Sequence, residues 1–310
     1  MPHWLIKSAL HRIISMLPAR NWWNEQLQLH VTKSLRLGPE QLRFRLDHCR
    51  QFLDLFFRHG HKRDFTAFEL GTGSYPFLSI ALYLCGASEV WTFDVSPLLH
   101  AGRLGQMLRL LIEFDSRGEL RARLPWIKTE RVAEIRAVVA GGKFPKSAQT
   151  LLEKFHIHTR LGDAGHSTLP VGTIDFFCSY SVLEYIPREA LVGIHREFAR
   201  IAATSAVAVH LIDLYDEYST FDRRLSPYNF LRFSERRWRW LNSRLNPVTR
   251  LRISDYRAAL HEAGWVILDE KSKTGNLAEL DRLPLAHEFR NSLREDLAVI
   301  QSWMVLQVSA

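Results

Sequence analysis

Cysteine is scarce in this 310-residue chain: Cys49, Cys85 and Cys178 stand far apart, with no CxxC pair and no local cluster. That spacing excludes a zinc ribbon or an iron–sulfur centre, so the sequence predicts buried thiols and no metal site. Long apolar runs are also missing. No stretch reaches the roughly 18 uninterrupted apolar residues of a spanning helix, and Met1–Pro18 is interrupted by His3, Lys7, His11 and Arg12 before a signal-peptide core can form. The expectation is therefore a cytoplasmic protein with reduced thiols. No Gly/Ser-rich or Pro-rich linker divides the chain, and no internal repeat or low-complexity tract is present. Acidic charge is in deficit: 33 acidic residues face 41 basic ones, a net charge of +8. The excess favours an anionic partner without choosing among phosphate, nucleotide and membrane surface.

What is present is a helical preamble followed by alternating strands and helices. In residues 1–62, Trp4-Leu5-Ile6, Leu10, Ile13-Ile14 and Leu17 recur near helical spacing, Pro18 ends that segment, and Leu42–Arg58 forms a second amphipathic stretch. From Phe65 onward, short apolar runs at Thr66–Leu70, Val90–Phe93, Ile157–Leu161, Ile174–Ser179 and Ala206–Ile212 alternate with helical stretches. This pattern predicts an α/β fold with a doubly wound, mostly parallel sheet. Residues 63–310 form its main domain and residues 1–62 a helical cap. The stretch from about 102 to 155 is too long for one crossover helix and predicts a helical insertion between strands two and three. A segment from about 213 to 257 lies on the substrate side, followed by a helix at Asp255–Ala263, a strand at Trp265–Leu268, a helix near Leu293–Ile300 and a last strand at Trp303–Val308.

The chemistry concentrates where the strands end. Phe68-Glu69-Leu70-Gly71-Thr72-Gly73-Ser74-Tyr75 is a strand running into a Gly-x-Gly turn, where the missing side chains let the backbone turn tightly and a ligand approach closely. Asp94 follows the next apolar run, placed to accept hydrogen bonds from ribose hydroxyls, with Val95 beside it. Gly162-Asp163-Ala164 follows the third strand, and Ser179-Tyr180 ends the fourth at the same carboxyl edge.

These segments, together with Ser181-Val182-Leu183-Glu184-Tyr185-Ile186-Pro187, resemble four successive motifs of the class I, Rossmann-like, S-adenosylmethionine (SAM)-dependent methyltransferases, and Gly264-Trp265 is similar to their closing region. The resemblance covers Phe65 to Ile212. It implies SAM as cofactor, bound by Glu69, Gly71, Thr72, Gly73, Asp94, Val95, Asp163, Ala164 and Ser179. Two departures stand out: Ser74-Tyr75 replaces the third glycine, and Tyr185 stands where a histidine is frequent.

His210, in Val209-His210-Leu211-Ile212-Asp213, is the first choice for a general base, with a hydrogen-bonded wall residue as the alternative. Tyr180 and Tyr185 are the other catalytic candidates, as ring faces toward a sulfonium or as hydroxyl partners. Asp213, Trp22 and Trp23 are the candidates for holding the acceptor, a small polar molecule such as a glycan precursor or specialised metabolite. The competing functions are intramolecular cyclisation of SAM with release of methylthioadenosine, a dinucleotide-dependent oxidoreductase, and a non-catalytic regulatory or RNA-binding subunit. Nine arginines between Arg223 and Arg252, interleaved with aromatics, suit a solvated face or a phosphate partner. The absence of an Asn/Asp-Pro-Pro-Tyr/Phe motif argues against nucleic acid. The first helix, with Lys7, His11 and Arg12 beside Trp4, Leu5, Ile6 and Leu10, is expected to pack on the protein in preference to a membrane surface.

Overall fold

The computed structural model describes residues 3–17, 23, 37–60, 64–242 and 247–309. Its centre is a seven-stranded sheet of β1 (Phe65–Leu70), β2 (Ala87–Asp94), β3 (Ile157–Leu161), β4 (Ile174–Tyr180), β5 (Ala202–Asp213), β6 (Trp265–Thr274) and β7 (Val299–Val308), in the order β3-β2-β1-β4-β5-β7-β6. Strands β1 to β5 pair in parallel, and β7 runs antiparallel between β5 and β6. The strand order reverses between β1 and β4, which opens a crevice above their carboxyl ends. The expected doubly wound, mostly parallel α/β sheet is therefore present.

Burial follows the sequence pattern. Strand β4, Ile-Asp-Phe-Phe-Cys-Ser-Tyr, is covered on both faces as a nearly continuous apolar run requires. One face carries Phe65, Ala67, Phe176, Cys178, Val207, Val209 and Leu211. Against it lies α2 (Pro39–His59), which buries Leu42, Leu46, Cys49, Leu53 and Phe56 at helical spacing. Phe56 stacks on Phe176 with ring centroids 4.3 Å apart. This second helix of the preamble is thus a layer of the core. Helix α1 (His3–Met16) goes elsewhere, as described below.

The same face receives α3 (Phe77–Leu84) and, between β2 and β3, α4 (Ala101–Ser116), α5 (Glu119–Arg123), α6 (Thr129–Ala140) and α7 (Ala148–Glu153). The opposite face carries Phe68, Phe177, Ala208 and Ile212 under α8 (Arg188–Ile201). Beyond β5, α9 (Tyr218–Phe221) and α10 (Glu235–Leu241) lead to α11 (Ile253–Glu262), which completes that layer with Ile253, Tyr256 and Leu260. Short helices α12 (Leu277–Asp281) and α13 (Arg294–Ala298) precede β7. The helix expected near Leu293–Ile300 therefore ends at Ala298, because Val299 and Ile300 already belong to the strand.

The segment after β5 builds its own small core from Tyr218, Tyr228, Phe230, Leu231 and Trp238. Two of its arginines are structural. Arg250 donates to the carbonyls of Phe230 and Phe233 and to Glu235. Arg252 donates to the carbonyls of Leu214, Leu297 and Val299. These bonds engage the terminal nitrogens of both buried guanidinium groups, while each Nε is left without a partner. Helix α1 docks on this segment: Trp4 is buried against Tyr218 and Phe233, with centroids 5.5 and 5.9 Å away. The Ser8 hydroxyl donates to the Leu241 carbonyl at 2.6 Å.

Candidate cofactor and acceptor site

Leu70, Asp94, Leu161, Tyr180 and Asp213 end the five parallel strands along one edge. The Gly-x-Gly turn leaves β1 there, with Gly71 and Gly73 at φ of 85° and 64°, a region that strongly favours glycine. The Gly71 amide donates to the Phe93 carbonyl at 2.8 Å. A Cβ on Gly71 would overlap the Val182 side chain, so the turn after β1 and the loop after β4 pack directly on each other. Around Gly73, by contrast, nothing lies within 4 Å of where a Cβ would stand.

Asp94 is held against this turn. One carboxylate oxygen accepts from the Gly73 amide and the other from the Ser96 amide, each at 2.9 Å. A carboxylate has about four lone-pair directions, so each oxygen retains acceptor capacity for a ligand hydroxyl. Thr72 is buried, its hydroxyl paired with that of Thr92. Val95 is largely exposed beside Asp94. After β3, the Asp163 side chain accepts from the Gly165 amide at 2.8 Å and caps a short turn containing the buried Ala164. The turn holds that exposed carboxylate in place. Gly162, at φ of 152°, again has open space on its Cβ side.

Glu69 lies beneath the turn, 3% exposed, and accepts from the Ser79 hydroxyl of α3. Burial pushes its carboxyl up to about 8, opposed by the Ser79 hydrogen bond. It supports the turn from below.

The structure places His210 and Ser179 differently from the sequence expectation. Along β5, Leu211 faces the α2 layer whereas His210 faces α8, and both His210 and Ser179 are completely buried. The Ser179 hydroxyl lies 2.8 Å from His210 Nδ1, His210 Nε2 lies 3.2 Å from His195 Nε2, and His195 Nδ1 lies 2.8 Å from the Leu191 carbonyl. A carbonyl only accepts, so His195 carries its proton on Nδ1. His195 Nε2 then accepts from His210 Nε2–H, and His210 Nδ1 accepts from Ser179. Every nitrogen is occupied with both rings neutral. Burial holds His195 down at about 4 and His210 well below the ordinary histidine value. His210 is thus a core residue with no free lone pair, and it corrects the general-base expectation. The Ser179 hydroxyl is likewise committed to the core.

Tyr180 and Asp213 lie on the other face of their strands, toward α2. The Tyr180 ring stacks on His48 at 5.1 Å, with the Arg45 guanidinium 4.7 Å from its centroid. Burial pushes its hydroxyl up to about 12. Asp213 accepts from the Gln301 amide at 2.8 Å and, more weakly, from the Tyr215 hydroxyl at 3.5 Å. Tyr185 donates to Glu217. Burial pushes Glu217 up to about 7, while Lys7 of α1 opposes that rise. Trp23 is partly exposed, and Trp22 lies outside the described residues.

Glu184, named in the sequence only as part of a motif, is a buried carboxyl near Asp213. It is 3% exposed, its Oε2 has no hydrogen-bond partner, and burial together with the charge of Asp213 raises its pKa well above the usual carboxylate range. Only the burial of a carboxylate inside the Val-Leu-Glu stretch distinguishes it, and one sequence does not disclose that burial.

No family model matches the sequence, and no curated protein matches it. In three dimensions the chain is similar to geranyl diphosphate C-methyltransferase from Streptomyces coelicolor A3(2). That alignment covers 84% of this chain and 77% of the other at 12% identity, with a TM-score of 0.47. It is also similar to a geranyl diphosphate methyltransferase solved with SAM, at 10% identity over 85% of each chain, with a TM-score of 0.47. A TehB-like SAM-dependent methyltransferase from Corynebacterium glutamicum aligns over 84% of this chain and 87% of its own at 10% identity, with a TM-score of 0.40.

Proposed function

We propose that the chain is a SAM-dependent methyltransferase whose acceptor is a small polar molecule of the glycan-precursor or specialised-metabolite kind. The observation that carries this reading is Asp94: a carboxylate fixed by the Gly73 and Ser96 amides, with the space beside Gly73 open. In this arrangement Asp94 holds the ribose hydroxyls, the Gly71–Gly73 turn admits close approach, and Asp163 faces the adenine end. Bound SAM supplies an electrophilic methyl group, and the protein supplies alignment and electrostatics.

With His210 committed to the core, the acceptor's proton falls to a carboxylate beside Tyr180. Asp213 is the candidate, oriented by Gln301 and Tyr215. Glu184 lies close enough to feel its charge. Burial and the Asp213 charge both favour the protonated form of Glu184.

The test is calorimetric titration of the wild-type chain and Asp94→Asn with SAM, followed by mass spectrometry of the mixture. Loss of charge-assisted hydrogen bonds weakens SAM binding by at least about tenfold; the new amide nitrogen cannot accept from a backbone amide, so one of the Gly73 and Ser96 bonds is lost and the melting temperature drops slightly while unfolding stays cooperative. Wild-type protein that fails to bind SAM, or an Asp94→Asn variant that binds it equally well, contradicts the reading. Methylthioadenosine formed without any acceptor points to intramolecular SAM cyclisation instead.

A further inference from the structure

Helix α1 is apolar on two sides. Trp4 and Ile14 are buried, yet Ile6, Leu10, Ile13, Met16 and Leu17 form a stripe at spacings of three and four along its outer side. Two aromatics of the segment beneath extend that stripe: Lys7 Nζ sits 4.9 Å from the Phe221 ring centre and the Arg12 guanidinium 3.9 Å from that of Trp240. All seven of these apolar side chains are 37–65% exposed. Such a contiguous patch needs an occupant.

The surrounding charge indicates which. No acidic residue precedes Glu25, and residues 221–242 hold six arginines against Asp222 and Glu235. Both of those acids are already paired, Asp222 with Arg224 and Glu235 with Arg250. Arg236, Arg237 and Arg239 remain exposed beside Trp240. Two open clefts flank the patch: one of about 610 Å³ is lined by Arg224, Arg232 and Phe233 among others, and one of about 540 Å³ by Arg236, Arg237 and Trp240 among others. Apolar side chains with an aromatic belt and arginines at their border match the acyl–headgroup boundary of an anionic bilayer.

We infer that this face, formed by α1, Phe221 and α10, docks the protein peripherally on an anionic phospholipid surface. The apolar stripe enters the boundary region and the arginines meet the phosphates. Among the described residues no helix is long and apolar enough to cross a membrane. The inference is independent of the SAM site, which lies at the sheet edge.

The experiment is co-sedimentation of the full chain with vesicles of phosphatidylcholine alone and of phosphatidylcholine with phosphatidylglycerol, at low and high salt. The wild type is expected to sediment with the anionic vesicles, more weakly as salt rises, and little with the neutral ones. Leu10→Glu with Ile13→Glu lowers partitioning by about tenfold or more, and Arg236→Glu with Arg237→Glu lowers it by at least about fivefold for each charge removed. These positions are exposed, so melting temperature and SAM affinity stay unchanged in both variants. Absence of binding to anionic vesicles overturns the inference, as does binding that both variants leave intact. A concentration-dependent dimer that the same variants abolish, without vesicle binding, also overturns it and assigns the patch to a second copy of the chain.

Discussion

Gly71 holds the turn after β1 against the loop after β4, and a single methyl group there meets two costs at once. Gly71→Ala combines a positive φ with overlap against Val182 and is expected to destabilise the fold by about 1–3 kcal/mol. Adding Val182→Ala to that background relieves the overlap and recovers part of the loss, measured by urea unfolding. If the second substitution only adds its own cost, the contact between the two loops is not the source. Asp94 and His210 show how far single residues are legible. The sequence puts both near strand ends, yet only one is open to a ligand. Asp94 is the last residue of β2 and turns back onto the glycine loop. His210 lies three residues before the end of β5, and strand alternation sends it to the face opposite Asp213. Its place in an apolar run is legible in the sequence, but the face it occupies depends on where β5 ends.

At the scale of elements, the five parallel strands are readable because each is a short apolar run bounded by glycine or charge, and the glycine turn, Asp94 and Asp163 follow from them. The packing of α2 is not readable. An amphipathic helix of that composition suits a lid as well as a layer, and only the partners of Phe52 and Phe56 decide. Nor does the sequence disclose that Ser179 of β4, His210 of β5 and His195 of α8 share one chain of hydrogen bonds.

That chain makes stability depend on pH. In the unfolded protein a histidine takes up a proton near pH 6.5, whereas folded His195 does so only near 4. Between these values the unfolded state binds more protons, so stability is full above about 6.5 and falls as pH drops toward 4. His195→Gln preserves an acceptor for His210 and a donor for Leu191 while removing that ionisation. Urea midpoints between pH 7 and 4.5 should therefore fall less steeply in the variant by about one proton's worth of slope. Buried carboxyls such as Glu69 push the other way, but they do so equally in both proteins, and the difference isolates the histidine. Identical slopes would show that His195 is not held neutral by the fold.

For the whole molecule, the decisive feature is that the last strand in sequence is not the last in the sheet. Strand β7 lies between β5 and β6, with Met304 opposite His210 on one side and Glu270 on the other. β5 and β7 are separated by residues 214–298, so their pairing is a long-range contact that forms at the cost of closing a large loop. Removing residues 299–310 strips β5 of one of its two neighbours, leaves the edge strand β6 unpaired, and takes Met304, Val305 and Leu306 out of the two sheet cores. Helix α1 has the opposite standing: among the described residues its Trp4 and Leu5 pack on the small core around Tyr218 and Trp238 and not on the two sheet cores. The C-terminal truncation is therefore expected to lose cooperative thermal unfolding, whereas a chain lacking residues 1–17 keeps a single transition at a lower temperature, as circular dichroism would record. A cooperative transition in the C-terminal truncation would mean that the parallel strands β1 to β5 hold the sheet without β7. Loss of cooperativity in the N-terminal one would instead make α1 part of the sheet's folding unit.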